Sequence, residues 1–288
     1  MRRSALYFLI LFNLFLIPSI AWSLSDSSKN FLEEQLVAEG IDRAQAHSIT
    51  NDSRLSIRSD LAILNLFCSS PRGTGQKTHV EISPRQIEQG RAFMKVHAAS
   101  LATIKKRFGT SPQIITAILL IESRLGTYPM TFKVANAYAS LALLLKPEYL
   151  KELQTLYANK YPQINDEATI VRARRKANWA VYELAYLVQL ANYLKIDPFT
   201  ISGSFAGALG PAQFLPSSFW LFGIDSNGDG IASPFNLEEA MFSSGHYLQI
   251  FGWAENAPID QKRKAVWFYN HSQVYVNTVM MIYDKLSH

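Results

Sequence analysis

The chain has 288 residues, 48% of them hydrophobic, and a formal charge of +5. That is enough apolar material for a full core, in one large domain or two small ones. The single cysteine excludes an internal disulfide framework, so stability must come from packing. The charge excess is small and two of its arginines lie at the extreme N-terminus, so no nucleic-acid partner is expected.

Met1 to Ser23 has the three parts of an export signal. Arg2 and Arg3 form the charged start, Ala5 to Ile20 is an apolar run interrupted by Asn13, Pro18 and Ser19, and Ala21-Trp22-Ser23 offers small residues for cleavage. The run is shorter than the roughly 20 apolar residues of a membrane span. Residues 1–23 are therefore expected to be removed, leaving 24–288 with no membrane span. Two arginines and no acid leave with them, which lowers the charge from +5 to +3. No cysteine follows the run to accept a lipid.

From Ser25 to about Thr50, Phe31, Leu32, Leu36, Val37 and Ile41 mark one amphipathic helix. Cys68, behind Leu66 and Phe67, reads as a buried small hydrophobe, with no histidine nearby to make it a nucleophile. Ser69 to Gln76 is a turn-rich loop. Ser83-Pro84 starts a long helix through Phe93, Val96, His97, Leu101, Ile104 and Phe108 to Gly109, with His97 a core or groove residue.

The next segment carries the first candidate for chemistry. Ser111 reads as an N-cap and Pro112 as the first helical residue of a strongly apolar run ending at Glu122, with Gly126 as the stop. Ile115, Ile118 and Glu122 share one face at helical spacing. A carboxylic acid aimed into apolar surroundings tends to keep its proton, which suits a general acid working near neutral pH. The alternative is a glutamate that turns out to solvent at a helix end.

Asn136 to Leu145 is again helical. Pro147 to Ile170 is polar and tyrosine-bearing and looks like an inserted helix and loop, and Arg172 to Leu194 is a long amphipathic helix. Arg174, Arg175 and Lys176 near its start form either a solvated face or a contact for an anionic substrate. Ser202 to Pro211 is a small-residue loop that lacks the residues of a phosphate loop; its glycines permit close backbone approach. Gln213 to Ser218 is a turn-and-cap signal, and the C-terminal part is helical. No hairpin signature and no internal repeat is present, so the architecture is mainly α.

Asp225, Asn227 and Asp229 place side-chain oxygens at the first, third and fifth positions of a loop, with Gly230 at the sixth and the Ile231 carbonyl at the seventh. That is the opening of an EF-hand calcium loop, although Asn236 stands where the twelfth-position glutamate belongs. Asp, Asn and Gly also crowd into ordinary surface turns. A structural calcium ion is the better reading, and no organic cofactor is expected. Around Glu122, the residue types at Ser204, Gln213, Phe214, Tyr247, Tyr269 and Asn270 suit a polar groove with an aromatic floor, of the kind a sugar polymer fills.

Four segments together resemble one family. Ala117–Gly126, Gly203–Ser218, Asp225–Gly230 and Phe268–Ser272 occur in the order seen in lytic murein transglycosylase B and its relatives, with similarity from about Phe31 to Leu286. The resemblance implies a lysozyme-like helical domain with an elongated EF-hand-like loop, acting in the periplasm on peptidoglycan glycan strands, with cell-wall assembly proteins as further partners. It implies that Glu122 is the single catalytic residue and that Ser204, Gln213, Phe214, Tyr247, Tyr269, Asn270 and Tyr275 contact the glycan. It also implies a late calcium ligand at the fifteenth loop position, Glu239. Two departures stand out. The family's Arg-Arg pair matches Arg175-Lys176 here, and lysine lacks the planar bidentate reach of arginine. Roughly Leu143 to Val171 looks like an insertion.

The implied reaction cleaves the bond between N-acetylmuramic acid and N-acetylglucosamine and leaves a 1,6-anhydro end. Ordinary glycosidases use two carboxylates, and only one is recognisable in the matched motifs. The rival readings are a hydrolytic lysozyme-type muramidase, a non-catalytic peptidoglycan-binding protein and a calcium-dependent interaction module.

Overall fold

The computed structural model describes residues 21–22, 24–68 and 79–288. The export signal at 1–23, apart from the backbone of Ala21 and Trp22, the loop at 69–76 and the side chain of Cys68 fall outside the described residues.

The region expected as one helix from Ser25 to Thr50 is two, α1 (Asp26–Ala38) and α2 (Arg43–Thr50). Gly40, at φ +90°, ends the first, and the Asp42 carboxylate starts the second by accepting the Ala44 and Gln45 amides at 3.0 and 3.2 Å. The apolar pattern continues across the break because both helices bury the same side. α3 (Ser59–Ile63) runs into a π-helical turn at Leu64–Cys68.

The helix expected from Ser83 to Gly109 is likewise divided, into α4 (Pro84–Val96) and α5 (Ala98–Phe108). The bend falls at His97, whose ring packs on Phe93 at a centroid distance of 4.3 Å. Ser83 and Gln86 close a capping box at the start of α4.

α6 (Pro112–Ser123) is the axis of the core. Ile114, Ile115, Ala117, Ile118 and Leu119 are all buried, each larger aliphatic contributing about 1.5–3 kcal/mol. Ser111 occupies the N-cap position in extended backbone, but its hydroxyl makes no capping bond; Pro112 alone carries the start signal. α7 (Val134–Ala142) leads through a 3-10 turn at Leu143–Leu145 to α8 (Pro147–Tyr157) and a second turn at Pro162–Asn165. The 143–171 segment sends a few side chains into the core: Leu153 and Ile164 are buried, and the Tyr157 and Ser59 hydroxyls bond at 2.9 Å.

α9 (Glu167–Leu194) begins five residues earlier than the pattern suggests and lies along α7. α10 (Pro216–Phe222), α11 (Leu237–Ile250), α12 (Ile259–Tyr269) and α13 (Gln273–Ser287) complete the helices. α13 lies along α6, with α4, α5 and α11 packed on its other sides.

Strands are minimal. β1 (Ala21–Trp22) pairs antiparallel with β2 (Ile57–Arg58), and β3 (Phe132–Lys133) with β4 (Ser202–Gly203). The second pair ties the segment after α6 to the small-residue loop that runs on from β4.

Candidate active site

Glu122 lies in the last turn of α6 and is 4% exposed. Burial pushes its carboxyl up to about 8, against the neighbouring Tyr275 hydroxyl, which favours the charged form. Tyr275 and Tyr269 are themselves held well above the ordinary tyrosine value, by burial first and by the neighbouring Glu122 charge second. The three groups form one desolvated cluster, assembled from the end of α6, the end of α12 and the first turn of α13.

The chain stops being helical immediately after the acid. The stop begins at Arg124 and Leu125, at φ 51° and 62°, two residues before the glycine expected to provide it. Left-handed backbone at residues with a Cβ is strained and persists only where its surroundings hold it. Here the Leu125 amide donates to Leu119 O at 2.9 Å, the Gly126 amide to Ser123 Oγ at 2.8 Å, and the Tyr128 amide to Ser123 O at 2.8 Å.

An aromatic floor adjoins the cluster. The Phe214 ring lies 5.7 Å from Tyr269 and 5.9 Å from Tyr247, which are 5.1 Å from each other. The Tyr247 hydroxyl donates to Phe268 O at 2.6 Å, and that of Tyr269 to Ala212 O at 2.7 Å. Asn270, next in the chain, is buried with its Oδ1 unpartnered.

Ser204 and Gln213 lie on the loop that carries Phe214. Ser204 Oγ accepts the Ala208 amide at 3.1 Å, and Gln213, at φ 52°, donates through Nε2 to Gly210 O at 2.9 Å. Leu209 bonds across the loop to Phe214 O at 2.8 Å. Gly207, at φ +86°, lies against Tyr138, whose hydroxyl donates to its carbonyl; a Cβ there would stand 2.1 Å from the ring. Close approach of this kind is what the glycines permit.

Glu122, Phe214, Tyr247, Tyr269 and Tyr275 thus meet in one place, with Asn270, Ser204 and Gln213 on adjoining backbone. Arg175 and Lys176 stand on α9, Arg175 exposed and Lys176 half-buried. Lys176 is pushed down to about 8 by burial and by the charges of Arg172 and Arg175. Sequence reasoning missed the supports. Tyr138 leaves no local signal, whereas Glu183, 2% exposed on α9 between Ala180 and Leu184, is visible as an acid on an apolar face.

A second cluster lies in the 225–239 segment. Oxygens of Asp225, Asp229 and Glu239 all fall within 4.8 Å of one another. The Asp225 carboxylate accepts the Gly228 and Gly230 amides at 2.7 and 2.8 Å, which hold it below the usual aspartate range. Asn227 Oδ1 accepts the Asp229 amide, and Asp229 Oδ1 the Ile231 amide. Glu239, 1% exposed, accepts the Ser233 amide at 2.7 Å through one oxygen; the other is buried without a partner. An orphaned buried carboxylate oxygen facing two aspartates fits a hard cation. The loop also abuts the active-site backbone, since a Cβ on Gly210 would meet Pro234 O at 1.8 Å.

A family model described as the transglycosylase SLT domain matches residues 24–266. The chain belongs to the transglycosylase SLT domain family. It is 25% identical over 237 residues to membrane-bound lytic murein transglycosylase B of Escherichia coli K12, covering 80% of this chain and 58% of that protein. The chain thus spans a little under three-fifths of that relative's length. Among solved structures, the Escherichia coli lytic transglycosylase Slt35 in complex with calcium matches with a TM-score of 0.67 at 19% identity, over 91% of this chain and 93% of that one. SltB3 of Pseudomonas aeruginosa in complex with NAG-NAM-pentapeptide also has a TM-score of 0.67, at 18% identity, over 91% and 79%. At these identities the structures establish a shared fold: the mainly helical lytic transglycosylase architecture.

Proposed function

We propose that the protein is a lytic transglycosylase that cleaves the MurNAc–GlcNAc β-1,4 bond of peptidoglycan strands, with Glu122 as its one acid–base residue. The observation that carries this reading is the burial of Glu122, 4% exposed at the end of α6 beside Tyr269 and Tyr275. A carboxyl held at about 8 is present as the acid at neutral pH, as protonation of a leaving oxygen requires. Among the described residues no second acid contributes to that shift; its causes are burial and the Tyr275 hydroxyl.

Glu122 gives its proton to the glycosidic oxygen as the bond from the muramoyl anomeric carbon to that oxygen breaks. The resulting carboxylate, beside the Tyr275 hydroxyl, takes the proton of the muramoyl 6-hydroxyl. That oxygen closes on the anomeric carbon, and Glu122 ends protonated with no water consumed. Excluding water favours the internal hydroxyl over hydrolysis. Phe214, Tyr247 and Tyr269 form the floor under the sugar, while Ser204, Gln213 and Asn270 supply hydrogen bonds, Asn270 through its unpartnered oxygen. Arg175 and Lys176 face the anionic groups of the strand.

The same proposal assigns a structural calcium ion to Asp225, Asn227, Asp229, the Ile231 carbonyl and Glu239, supported by the orphaned Glu239 oxygen. It places the protein in the periplasm after removal of residues 1–23, as a single domain of 24–288 with an inserted segment at about 143–171. Cell-wall assembly proteins are its expected partners. No helix among the described residues is long and apolar enough to cross a membrane.

Mass spectrometry of sacculi digested by the purified protein tests the reaction. Muropeptides ending in 1,6-anhydroMurNAc are expected. Reducing ends alone would make the protein a hydrolase, and no soluble product would make it a binding protein.

A further inference from the structure

Glu183 takes no part in the chemistry above, yet it is among the most deeply buried carboxylates of the chain. Both of its oxygens are used by one residue. Oε1 accepts the Ser217 hydroxyl at 2.7 Å and Oε2 accepts the Ser217 amide at 3.0 Å.

The position of Ser217 gives this contact its meaning. It is the second residue of α10, after Pro216, which has no amide hydrogen, and after Leu215, which has no side-chain oxygen to cap the helix. Glu183 therefore supplies the acceptor that the local sequence lacks. Ser217 is also three residues beyond Phe214, and Phe219 of the same helix packs on the Phe214 ring at 6.1 Å. The loop bearing Phe214 is held on its near side by the Leu209–Phe214 bond and in its middle by Tyr269 on Ala212 O. The Glu183–Ser217 contact closes the far side.

The two carboxyl oxygens of Glu183 meet the amide and the hydroxyl of Ser217 one to one. A leucine in its place would fill similar space and leave the buried Ser217 amide without an acceptor. We propose that Glu183 is a positioning residue for the glycan floor: by holding both donors of Ser217 it fixes Gln213 and Phe214 in register against Tyr247 and Tyr269. This rests on the glycan-cleaving reading of the site.

The test separates the two claims. Binding of a soluble N-acetylglucosamine oligomer is measured by calorimetry in a Glu122→Gln background, with and without Glu183→Leu or Ser217→Ala. Turnover of sacculi is measured with Glu122 intact. Either change is expected to weaken oligomer binding about tenfold and to raise KM while kcat stays within about twofold, because the floor is displaced and the acid is not. Combining the two changes should be no worse than Glu183→Leu alone, since both remove one contact. Ser217→Ala, a single-atom deletion, provides the answer if Glu183→Leu does not fold. Unchanged Kd and KM in folded variants overturns the proposal, as does a fall in kcat that follows only the folded fraction. If the parent protein neither binds the oligomer nor releases glycan, the glycan reading fails and this proposal with it. If the parent binds and the variants bind equally well, only this proposal fails.

Discussion

Glu122 and the acids of the 225–239 loop are the same functional group in opposite settings. Around Glu122 burial dominates, the neighbouring Tyr275 hydroxyl works weakly towards the charged form, and the carboxyl is pushed up to about 8. Around Asp225 the backbone turns amide after amide inward, and the carboxyl is held low. Glu239 stands between them, raised mainly by burial, with one oxygen on an amide and the other unpartnered. The difference lies in what the backbone offers. A helix end packed on three sides keeps a proton available, whereas a turn of glycines and aspartates keeps charge available for a cation.

The largest expected effect breaks the first half of that contrast. Glu122→Gln keeps the size and burial of the side chain and removes its titratable proton. Losing one proton transfer costs about 10²–10⁴-fold, and Glu122 serves twice, so release of soluble muropeptides from sacculi should fall by at least about 10³-fold. Residual turnover near that of the parent would move the catalytic role elsewhere.

The same substitution sharpens the contrast in stability. The folded-state value of Glu122 stands above the ordinary 4.5, so the folded chain holds a proton that the unfolded chain has released between the two. Stability conferred by the parent residue therefore falls as pH rises from about 4.5 towards 8. Glu122→Gln should be more stable than the parent by on the order of 3 kcal/mol at pH 7, with the gain vanishing near pH 4. Denaturant midpoints at the two pH values measure this; an equal difference at both would show that the acid is not desolvated.

The 225–239 loop should respond in the opposite sense to calcium. Calcium at about 100 times its Kd should stabilise the parent by about 2.7 kcal/mol, seen as a Tm that rises with calcium and falls on chelation. Glu239→Gln should abolish the response, and Glu122→Gln should leave it intact. A calcium response that survives Glu239→Gln would remove Glu239 from the ligand set.

Much of this contrast is legible in residues close together in the chain. The spacing of Ile115, Ile118 and Glu122 places the acid on an apolar face, and the order Asp225, Asn227, Asp229, Gly230 writes out a turn. The helix breaks are less legible, because apolar periodicity continues across them. Gly40 and Asp42 carry a stop and a start that the uninterrupted pattern masks, and the bend at His97 has no such marker. Contacts between distant segments are not written locally at all. Tyr138 reaches Gly207 and Glu183 reaches Ser217 through the packing of α7 and α9, with nothing beside either residue to name its partner. The site's chemistry is therefore local, while its rigidity is a property of the fold.

The smallest effect probes the Tyr275 hydroxyl beside Glu122. Tyr275→Phe keeps the buried ring and removes the hydroxyl that favours the carboxylate, an effect smaller than the burial it opposes. Without it the carboxyl should rise further, and the basic limb of kcat/KM, which falls as the free enzyme loses its acid, should move to higher pH. The displacement should be upward, because the hydroxyl acts against desolvation and not with it. A limb that moves down would mean that Tyr275 holds the protonated acid in place. The environment of Glu122 would then resemble the 225–239 loop, where donors set the charge, more than an apolar wall.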